Sequence, residues 1–478
     1  METRDVKNLR DKKVLVAGAG KSGMAAALFL RQHGAYVTVS DSRNADAMTT
    51  EIAVLRAVGI EIAAGSNGLE TFAQQDLVVV SPGIPLNTSE WMTARSYHPQ
   101  VEIVGELELA SRYLQGQILA ITGSNGKTTT TALCGEILRA SGLPTQVGGN
   151  IGVPVISLVE HSDASGWTVL EVSSFQLEST IHFCPRIAVM LNITPDHLDR
   201  HGSMENYIAA KERIFANQTA DDALVLNAED EHTQRAAIRA KGKVYWFSAT
   251  RPVRQGTFVY QDAVVFRASE QAKLEPILPV SEIPLKGAHN VENVLAAVCA
   301  ARLAGVPAET IRAAVADFRA VEHRLEFVAT IRGVEYYNDS KATNVDATAK
   351  AILSFGGGIH LILGGKDKDS DYTTLRALLQ QRVRVVYTIG AAAEKIARQI
   401  SGTTEVKDCG TLQAAIEAAA AQAKTGEIVL LAPACASFDQ FENYEHRGRV
   451  FKQCVQALAH AAGEPQLMSG DKWQNASA

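Results

Sequence analysis

Apolar positions along the chain cluster in short runs, some of them crossed by single polar residues. Lys12 to Ala17, Tyr36 to Ser40, Leu77 to Val80, Ile118 to Ile121, His360 to Leu363, Val383 to Ile389 and Ile428 to Ala432 each have the length of a buried strand. Helical stretches separate them, a texture that predicts α/β units built on largely parallel sheets. The first unit is the most explicit. Its opening strand runs into Gly18-Ala19-Gly20-Lys21-Ser22-Gly23, then into an alanine-rich helix ending at His33 with Gly34 as its stop, and then into a second strand that ends at Asp41. Such a turn lets backbone approach phosphate at a helix N-terminus, so it suits any nucleotide diphosphate. Asp41 stands eighteen residues past Gly23, near where such folds place an acid on an adenosine ribose, which keeps an NAD-dependent oxidoreductase open. Ser81-Pro82-Gly83-Ile84-Pro85 forms a rigid loop at the carboxyl end of another strand, where α/β sheets bind ligands.

A second unit starts at Gln117. Its strand leads into Thr122-Gly123-Ser124-Asn125-Gly126-Lys127-Thr128-Thr129, and a helix with Leu133, Ile137 and Leu138 on one face follows, stopping at Gly142 and Pro144. This is a phosphate loop: backbone amides and Lys127 would cradle the β and γ phosphates and the Thr128 hydroxyl would bind Mg²⁺. The position six before Lys127 is Ile121 where the usual motif has glycine. By itself the loop also fits a P-loop motor, transport or switch ATPase. Past Thr310 strands and helices alternate again in a third unit, whose loops Gly364-Gly365-Lys366-Asp367-Lys368-Asp369 and Pro433-Ala434-Cys435-Ala436-Ser437 sit at strand carboxyl ends.

Length agrees with this division, since 478 residues at about 150 per domain make about three domains. The expected boundaries are 1–106, 107–320 and 321–462, followed by a polar tail, 463–478, expected to be disordered. Hydrophobic residues at 46% and charged residues at 21% are those of an ordinary globular chain. A formal charge of -6 lacks the basic excess of a nucleic-acid-coating surface. No apolar run approaches the ~18 residues of a membrane span, and Val14 to Ala17 is too short for a signal-peptide core, so no membrane role and a cytoplasmic location are expected. The six cysteines never come closer than nineteen residues, which points to neither a metal-ligand pair nor a disulfide framework.

Two nucleotide-type sites, of which only one carries a phosphate-loop lysine, suggest one consumed ATP and one nucleotide handle. Between and beyond them lie Gly149-Asn150-Ile151-Gly152, Glu171 to Glu178, Asn192 to His201, Tyr207 to Lys211, Lys286 to Asn293, His323-Arg324-Leu325-Glu326 and Asn338 to Asn344. In this order the motifs resemble those of the Mur ligases of peptidoglycan synthesis, over nearly the whole chain. The resemblance implies an α/β fold of three domains: a Rossmann-like N-terminal domain, a central P-loop ATPase-type domain and a Rossmann-like C-terminal domain. It further implies an ATP-dependent monomer that joins D-glutamate to UDP-N-acetylmuramoyl-L-alanine through an acyl phosphate. Another amino-acid-adding Mur ligase, or a folylpolyglutamate synthetase, would use the same chemistry.

That chemistry has a plain cause. A carboxylate resists attack by an amine because its leaving group would be an oxide, and phosphoryl transfer from ATP converts it into an acyl phosphate that can be attacked. The transfer crowds negative charge, so positioned cations must stabilise it. By resemblance Lys127, His197 and Lys211 are catalytic. Gly123, Ser124, Asn125, Gly126, Lys127, Thr128 and Thr129 hold the ATP phosphates, and His289, Asn290, Asn293, Arg324 and Asp339 take its adenine and ribose. Two Mg²⁺ ions are implied, with Thr128 and Glu171 on the first and His197 on the second. Lys211 would serve the metals only as a carbamate made with CO₂, which turns a repelling ammonium into a carboxylate. Lys21 and Ser22 would approach the diphosphate of the UDP-substrate, Asp41 and Arg43 its uracil, Ser81, Pro82 and Gly83 its sugar side, and Asn150 and Ser173 the muramoyl group. Thr343, Lys368, Ser437, Phe438 and Tyr444 would form the D-glutamate pocket, with Phe438 aromatic where an aliphatic residue is expected.

Overall fold

The protein is described by a computed structural model that covers residues 8–66, 68–319 and 321–462. The tail 463–478, expected to be disordered, lies outside the described residues, as does position 320 at the expected second boundary. The apolar runs become strands in three sheets. The first two sheets belong to one compact unit, the chain up to Pro284 plus Val291–Phe318, and the third to another, Leu285–Asn290 and the chain from Arg319 on.

The first sheet is parallel throughout, in the spatial order Glu61–Ala64, Tyr36–Asp41, Lys13–Ala17, Leu77–Val80, Glu102–Gly105. The order of winding switches sides between the parallel strands Lys13–Ala17 and Leu77–Val80, and a crevice opens at the carboxyl ends of strands at such a switch. The glycine turn and the Ser81 loop leave from those two ends. Two glycines there are obligatory on space alone. Gly18 has φ +91° with the Ser81 hydroxyl 2.9 Å from where its Cβ would lie, and a Cβ on Gly23 would fall 1.8 Å from the Gly18 carbonyl oxygen. The helix Lys21–Gln32 then packs its face with Ala26, Ala27 and Leu30 into a core that continues into the second sheet.

The second sheet has nine strands, ordered Glu275–Pro279, Ala263–Arg267, Gly256–Tyr260, Lys243–Ser248, Ala223–Asn227, Ile187–Met190, Gln117–Thr122, Trp167–Glu171, Thr145–Gly149. It is parallel from Thr145–Gly149 to Gly256–Tyr260 and closes on an antiparallel pair. The third has six, ordered Glu326–Ile331, Val334–Asn338, Ile428–Leu431, Ile359–Gly364, Val383–Ile389, Glu405–Gly410, with only the first antiparallel to its neighbour. In both, the motif-bearing loops leave the carboxyl ends of adjacent central strands. No helix among the described residues is long and apolar enough to cross a membrane.

Between the first two sheets lies the short helix Glu106–Ser111, tied down by two buried carboxylates. Glu108 accepts the backbone amides of Ile181, His182 and Phe183 at 2.8 to 3.0 Å and pairs with Arg112. Glu106 accepts the Ile156 amide at 2.6 Å, but its second oxygen is buried with no partner among the described residues. Burial pushes the Glu106 carboxyl up to about 7 from an ordinary 4.5, against the pull of the Ile156 and Val155 amides. The folded protein therefore holds a proton that the unfolded chain has released across this interval, so stability should fall as pH rises through it and level off above. Glu106→Gln, which carries no charge, should be the more stable protein above about pH 8, by up to roughly 3 kcal/mol, and no more stable than wild type below about pH 4.5. Urea unfolding at the two pH values checks this, and a pH-independent difference would refute it.

Candidate functional site

The phosphate loop is built by three conformational facts. Gly123 and Gly126 take φ +151° and +87°, the helix Lys127–Ala140 starts directly after Gly126, and Asn192 clamps the loop from the next strand. Asn192 accepts the Asn125 amide at 2.8 Å and donates to the Asn125 carbonyl at 3.1 Å. A Cβ on Gly126 would lie 2.2 Å from Asn293 Oδ1, which places Asn293 against the loop. Ser124 accepts the Thr194 amide, donates to the Thr194 carbonyl, and has the Tyr207 hydroxyl at 2.9 Å. Lys127 Nζ donates to the carbonyls of Gly123 and Ser124 at 2.8 and 2.9 Å, so the ammonium lies over the turn whose amides face a phosphate. Thr129 is buried in the first turn of the helix.

Thr128 and Glu171 meet. The Thr128 hydroxyl donates to Glu171 Oε2 at 2.8 Å, and Asn150 Nδ2 holds Glu171 Oε1 at 2.8 Å. A hydroxyl and a carboxylate, both hard oxygen donors beside a phosphate loop, fit Mg²⁺. Lys211, from the helix Met204–Glu212, reaches the same loop: Nζ donates to the Gly123 carbonyl at 2.8 Å and lies 4.7 Å from the centre of the Tyr207 ring. It is only 2% exposed. Burial first, then the neighbouring Lys127 charge, push its amine well below the ordinary lysine range, against Asp196 and Glu171. A buried cation beside a second cation suits a cation site only if its charge is inverted, which a carbamate does.

His197 has φ +54° and caps the short helix Leu198–His201, its ring at 4.9 Å from the Phe175 ring and Nε2 at 3.6 Å from Asp196 Oδ2. Next to it, His201 is oriented by Ser174 and Glu178, each at 3.0 Å. Ser173 caps the helix Ser174–Glu178 in a reciprocal box with Gln176.

At the first sheet's switch point Lys21 opens the helix and Nζ donates to the Gly152 carbonyl at 2.8 Å, with Ser22 beside it half-buried. Asp41 works locally: Oδ2 accepts the Ala19 amide at 2.8 Å, and Arg43 engages both oxygens. Burial would raise that carboxyl, but Arg43 and the two amides hold it below the ordinary range. Asp41 thus braces the glycine turn, a use that no sequence signal marks. Ser81 donates to the Gly18 carbonyl at 2.9 Å, Pro82 is half-buried, and the carbonyls of Gly83 and Ile84 accept from Arg200.

In the other unit, Asn290 donates to the Lys286 carbonyl at 2.7 Å, and burial, with Lys350 and Arg324 adding, pushes His289 down to about 4. Asp339 accepts the Leu325 amide at 3.3 Å, and burial raises its carboxyl to about 6 although Arg324 opposes the rise. Ser437 is buried, Thr343, Lys368 and Tyr444 are half-buried, and Phe438 is 67% exposed. Lys341 Nζ lies 5.1 Å from the centre of the Tyr444 ring. One residue here carried no sequence signal. Arg447 is completely buried, and its guanidinium binds the Ser340 hydroxyl and the carbonyls of Ser340, Cys435 and Ala436 at 2.8 to 3.4 Å. It fastens the Asp339 loop to the Ser437 loop.

Family models match in the same order as the sheets: a Mur ligase MurD-like N-terminal domain at residues 12–105, a Mur ligase middle domain at 121–301 and a Mur ligase glutamate ligase domain at 323–435. The chain is 64% identical, over 98% of its length and 100% of the relative's, to the UDP-N-acetylmuramoylalanine--D-glutamate ligase of Acidobacterium capsulatum. It is 54% identical to the protein of that name from Koribacter versatilis, over 95% of this chain and 99% of the relative. Among solved structures it resembles the UDP-N-acetylmuramate-alanine ligase MurC from Thermotoga maritima, with TM-score 0.58 and 20% identity over 93% of this chain and 99% of that one. It also resembles a pseudomurein peptide ligase type C from Methanothermus fervidus, with TM-score 0.57 and 18% identity over 94% and 100%. At such identities the likeness is one of fold.

Proposed function

Because the chain belongs to the Mur ligase family, we propose that it is a cytoplasmic, monomeric ligase that joins D-glutamate to UDP-N-acetylmuramoyl-L-alanine, releasing ADP and phosphate. The observation that carries the reaction class is the phosphate loop with Lys127 on its turn and Thr128 held to buried Glu171 at 2.8 Å. The choice of D-glutamate is supported by relatives of that name at 64% and 54% identity along nearly the whole chain.

The residues divide the work by charge. The amides of Gly123 to Thr129 and the Lys127 ammonium bind the β and γ phosphates and stabilise charge as the γ-phosphoryl group passes to the acceptor carboxylate. Of the two Mg²⁺ ions implied, Thr128 and Glu171 would hold the first and His197 the second, with Lys211 as a carbamate serving the metal site, and the ions would supply the remaining countercharge. His289, Asn290 and Asn293, with Arg324 and Asp339, hold the adenosine end. Lys21 and Ser22 meet the diphosphate of the UDP-substrate at the N-terminus of their helix, Asp41 and Arg43 its uracil, Ser81, Pro82 and Gly83 its sugar, and Asn150 and Ser173 the muramoyl group. Lys368, Thr343, Ser437, Phe438 and Tyr444 orient D-glutamate so that its amine attacks the acyl phosphate and phosphate leaves.

Phosphate release measured with ATP, UDP-N-acetylmuramoyl-L-alanine and one amino acid at a time tests the reading. D-Glutamate should stimulate it. Full-rate release without either acceptor would instead mark a motor or switch ATPase.

For Lys211 the reaction is addition of the neutral amine to CO₂, forming an N–C bond and releasing one proton. Its product carries the negative charge a metal site needs. Intact mass measured under CO₂, or crystal density, should show the added carboxyl group. Lys211→Ala should lose at least about 10²-fold in turnover, the scale of one missing electrostatic group in a preorganised site, and a short-chain carboxylic acid should restore part of it. Full activity in the alanine variant would refute the carbamate.

A further inference from the structure

The loops carrying Lys368 and Ser437 rest on a hydrogen-bond chain, half-buried at Lys395 and Asp367 and buried at Tyr372 and Cys435, to which no substrate role is assigned. Tyr372 is 0% exposed and begins the turn Tyr372–Leu375, just beyond the Gly364 to Asp369 loop. Its hydroxyl donates to Asp367 Oδ1 at 2.8 Å and lies 2.9 Å from Cys435 Sγ. A phenol has one hydrogen, and here it goes to the carboxylate, so the Cys435 thiol donates to the phenol oxygen. Asp367 Oδ2 accepts from Lys395 at 2.6 Å, and Oδ1 also accepts the Ser370 amide at 3.1 Å. The backbone amide of Tyr372 is anchored to Gln399 at 2.8 Å. The chain therefore runs from one pocket loop to the other: Lys395 to Asp367, Asp367 to Tyr372, Tyr372 to Cys435.

Two features make this linkage a device for spacing. Lys366 and Ala436 already exchange both backbone bonds, at 2.9 and 3.1 Å, in an isolated bridge beside Gly365, where a Cβ would fall 2.3 Å from the Ala436 oxygen. The backbones of the two loops are thus at closest approach. The Tyr372 hydroxyl links a side chain of each loop as well, with Asp367 adjacent to Lys368 and Cys435 two positions before Ser437. Resting on the reading of Lys368 and Ser437 as the groups that meet D-glutamate, we propose that Tyr372 is a positioning residue. Its hydroxyl, through Asp367 and Cys435, sets the distance between the lysine and the serine and so the fit of the two carboxylates of the amino acid.

Tyr372→Phe keeps the buried ring and removes only the hydroxyl. The KM for D-glutamate should rise by about tenfold, the scale of one lost hydrogen bond to a charged group, with the KM values for ATP and the UDP-substrate unchanged. Cys435→Ala should act in the same direction, and Cys435→Ser, which keeps a donor to the phenol, should stay close to wild type. A ring that serves packing alone would lower the melting temperature of the phenylalanine variant and leave its KM for D-glutamate where it was. That result would overturn the proposal, as would equal KM values in Cys435→Ala and Cys435→Ser should Tyr372→Phe not fold. Wild type measured alongside separates the two levels. If D-glutamate fails to stimulate ADP release there, the reading of the site falls and this proposal with it; if it stimulates wild type and the variants keep its KM, only the positioning role falls.

Discussion

Lys127→Ala should lose about 10² to 10³-fold in kcat, roughly 2.7 to 4 kcal/mol of transition-state stabilisation, the measured scale for removing one preorganised donor to developing charge. Two losses combine. The ammonium lies over the turn, 2.8 and 2.9 Å from the carbonyls of Gly123 and Ser124, where it would meet a phosphoryl group bound by the loop. It is also a positive charge acting on the buried Lys211 position, so its removal changes the electrostatics there as well. Lys127→Arg should recover little, because a planar guanidinium cannot replace a compact ammonium inside so tight a turn. Binding of the UDP-substrate alone should be unchanged, since the N-terminal glycine turn is braced by its own contacts, Ser81 to Gly18 and Asp41 to Ala19. Initial-rate measurements with all substrates saturating, and calorimetry with the UDP-substrate alone, check the two halves. Near-normal turnover would sink the assignment of the phosphate loop.

Where function depends on a local stretch of chain, the sequence was a sufficient guide. The central strand runs are mostly apolar because they are buried on both faces, and Val383–Ile389 spans the stretch read as a strand, with Arg384 its one exposed position. The phosphate loop and its helix are contiguous, so spacing alone identifies them. Long-range partners were not legible. Tyr372 finds Cys435 across 63 residues, and Arg447 finds Ser340 across 107. Neither pairing leaves a periodic trace, because a buried polar side chain takes its meaning from what the fold brings to it. Residues 233–280 carried no motif, and they supply strands that extend the central sheet away from the phosphate-loop strand, ending in the antiparallel pair. Asp41 shows a different gap. Its position matched an acid expected on a nucleotide, and its first use in the fold is to hold Ala19 and Arg43.

Preference for D-glutamate over glutamine should reach roughly 10⁴-fold, because a pocket built to pair a second carboxylate leaves buried donors unsatisfied when that carboxylate is missing. The cost falls on groups held in place, Ser437 above all. Ser437 is 2% exposed, and its loop is fixed by the Lys366 to Ala436 bridge and by the wholly buried Arg447. Lys368 leaves the neighbouring strand end on a loop whose Asp367 is held by Lys395 and Tyr372. It is the cation we expect to meet the side-chain carboxylate, with Thr343 and Ser437 supplying hydroxyls. Lys368→Ala should therefore raise the KM for D-glutamate by at least about 10²-fold, as the loss of a charged donor to a buried anion does, and leave the KM for ATP nearly unchanged. It should also shrink the preference over glutamine, since the variant no longer penalises the uncharged side chain. The two effects are linked: a general loss of folding would lower kcat for both amino acids alike, whereas a lost charge pair moves only the acid. Competition between D-glutamate and L-lysine, meso-diaminopimelate or L-alanine separates this chain from its family neighbours, and faster incorporation of any of them would leave the family standing and remove the substrate.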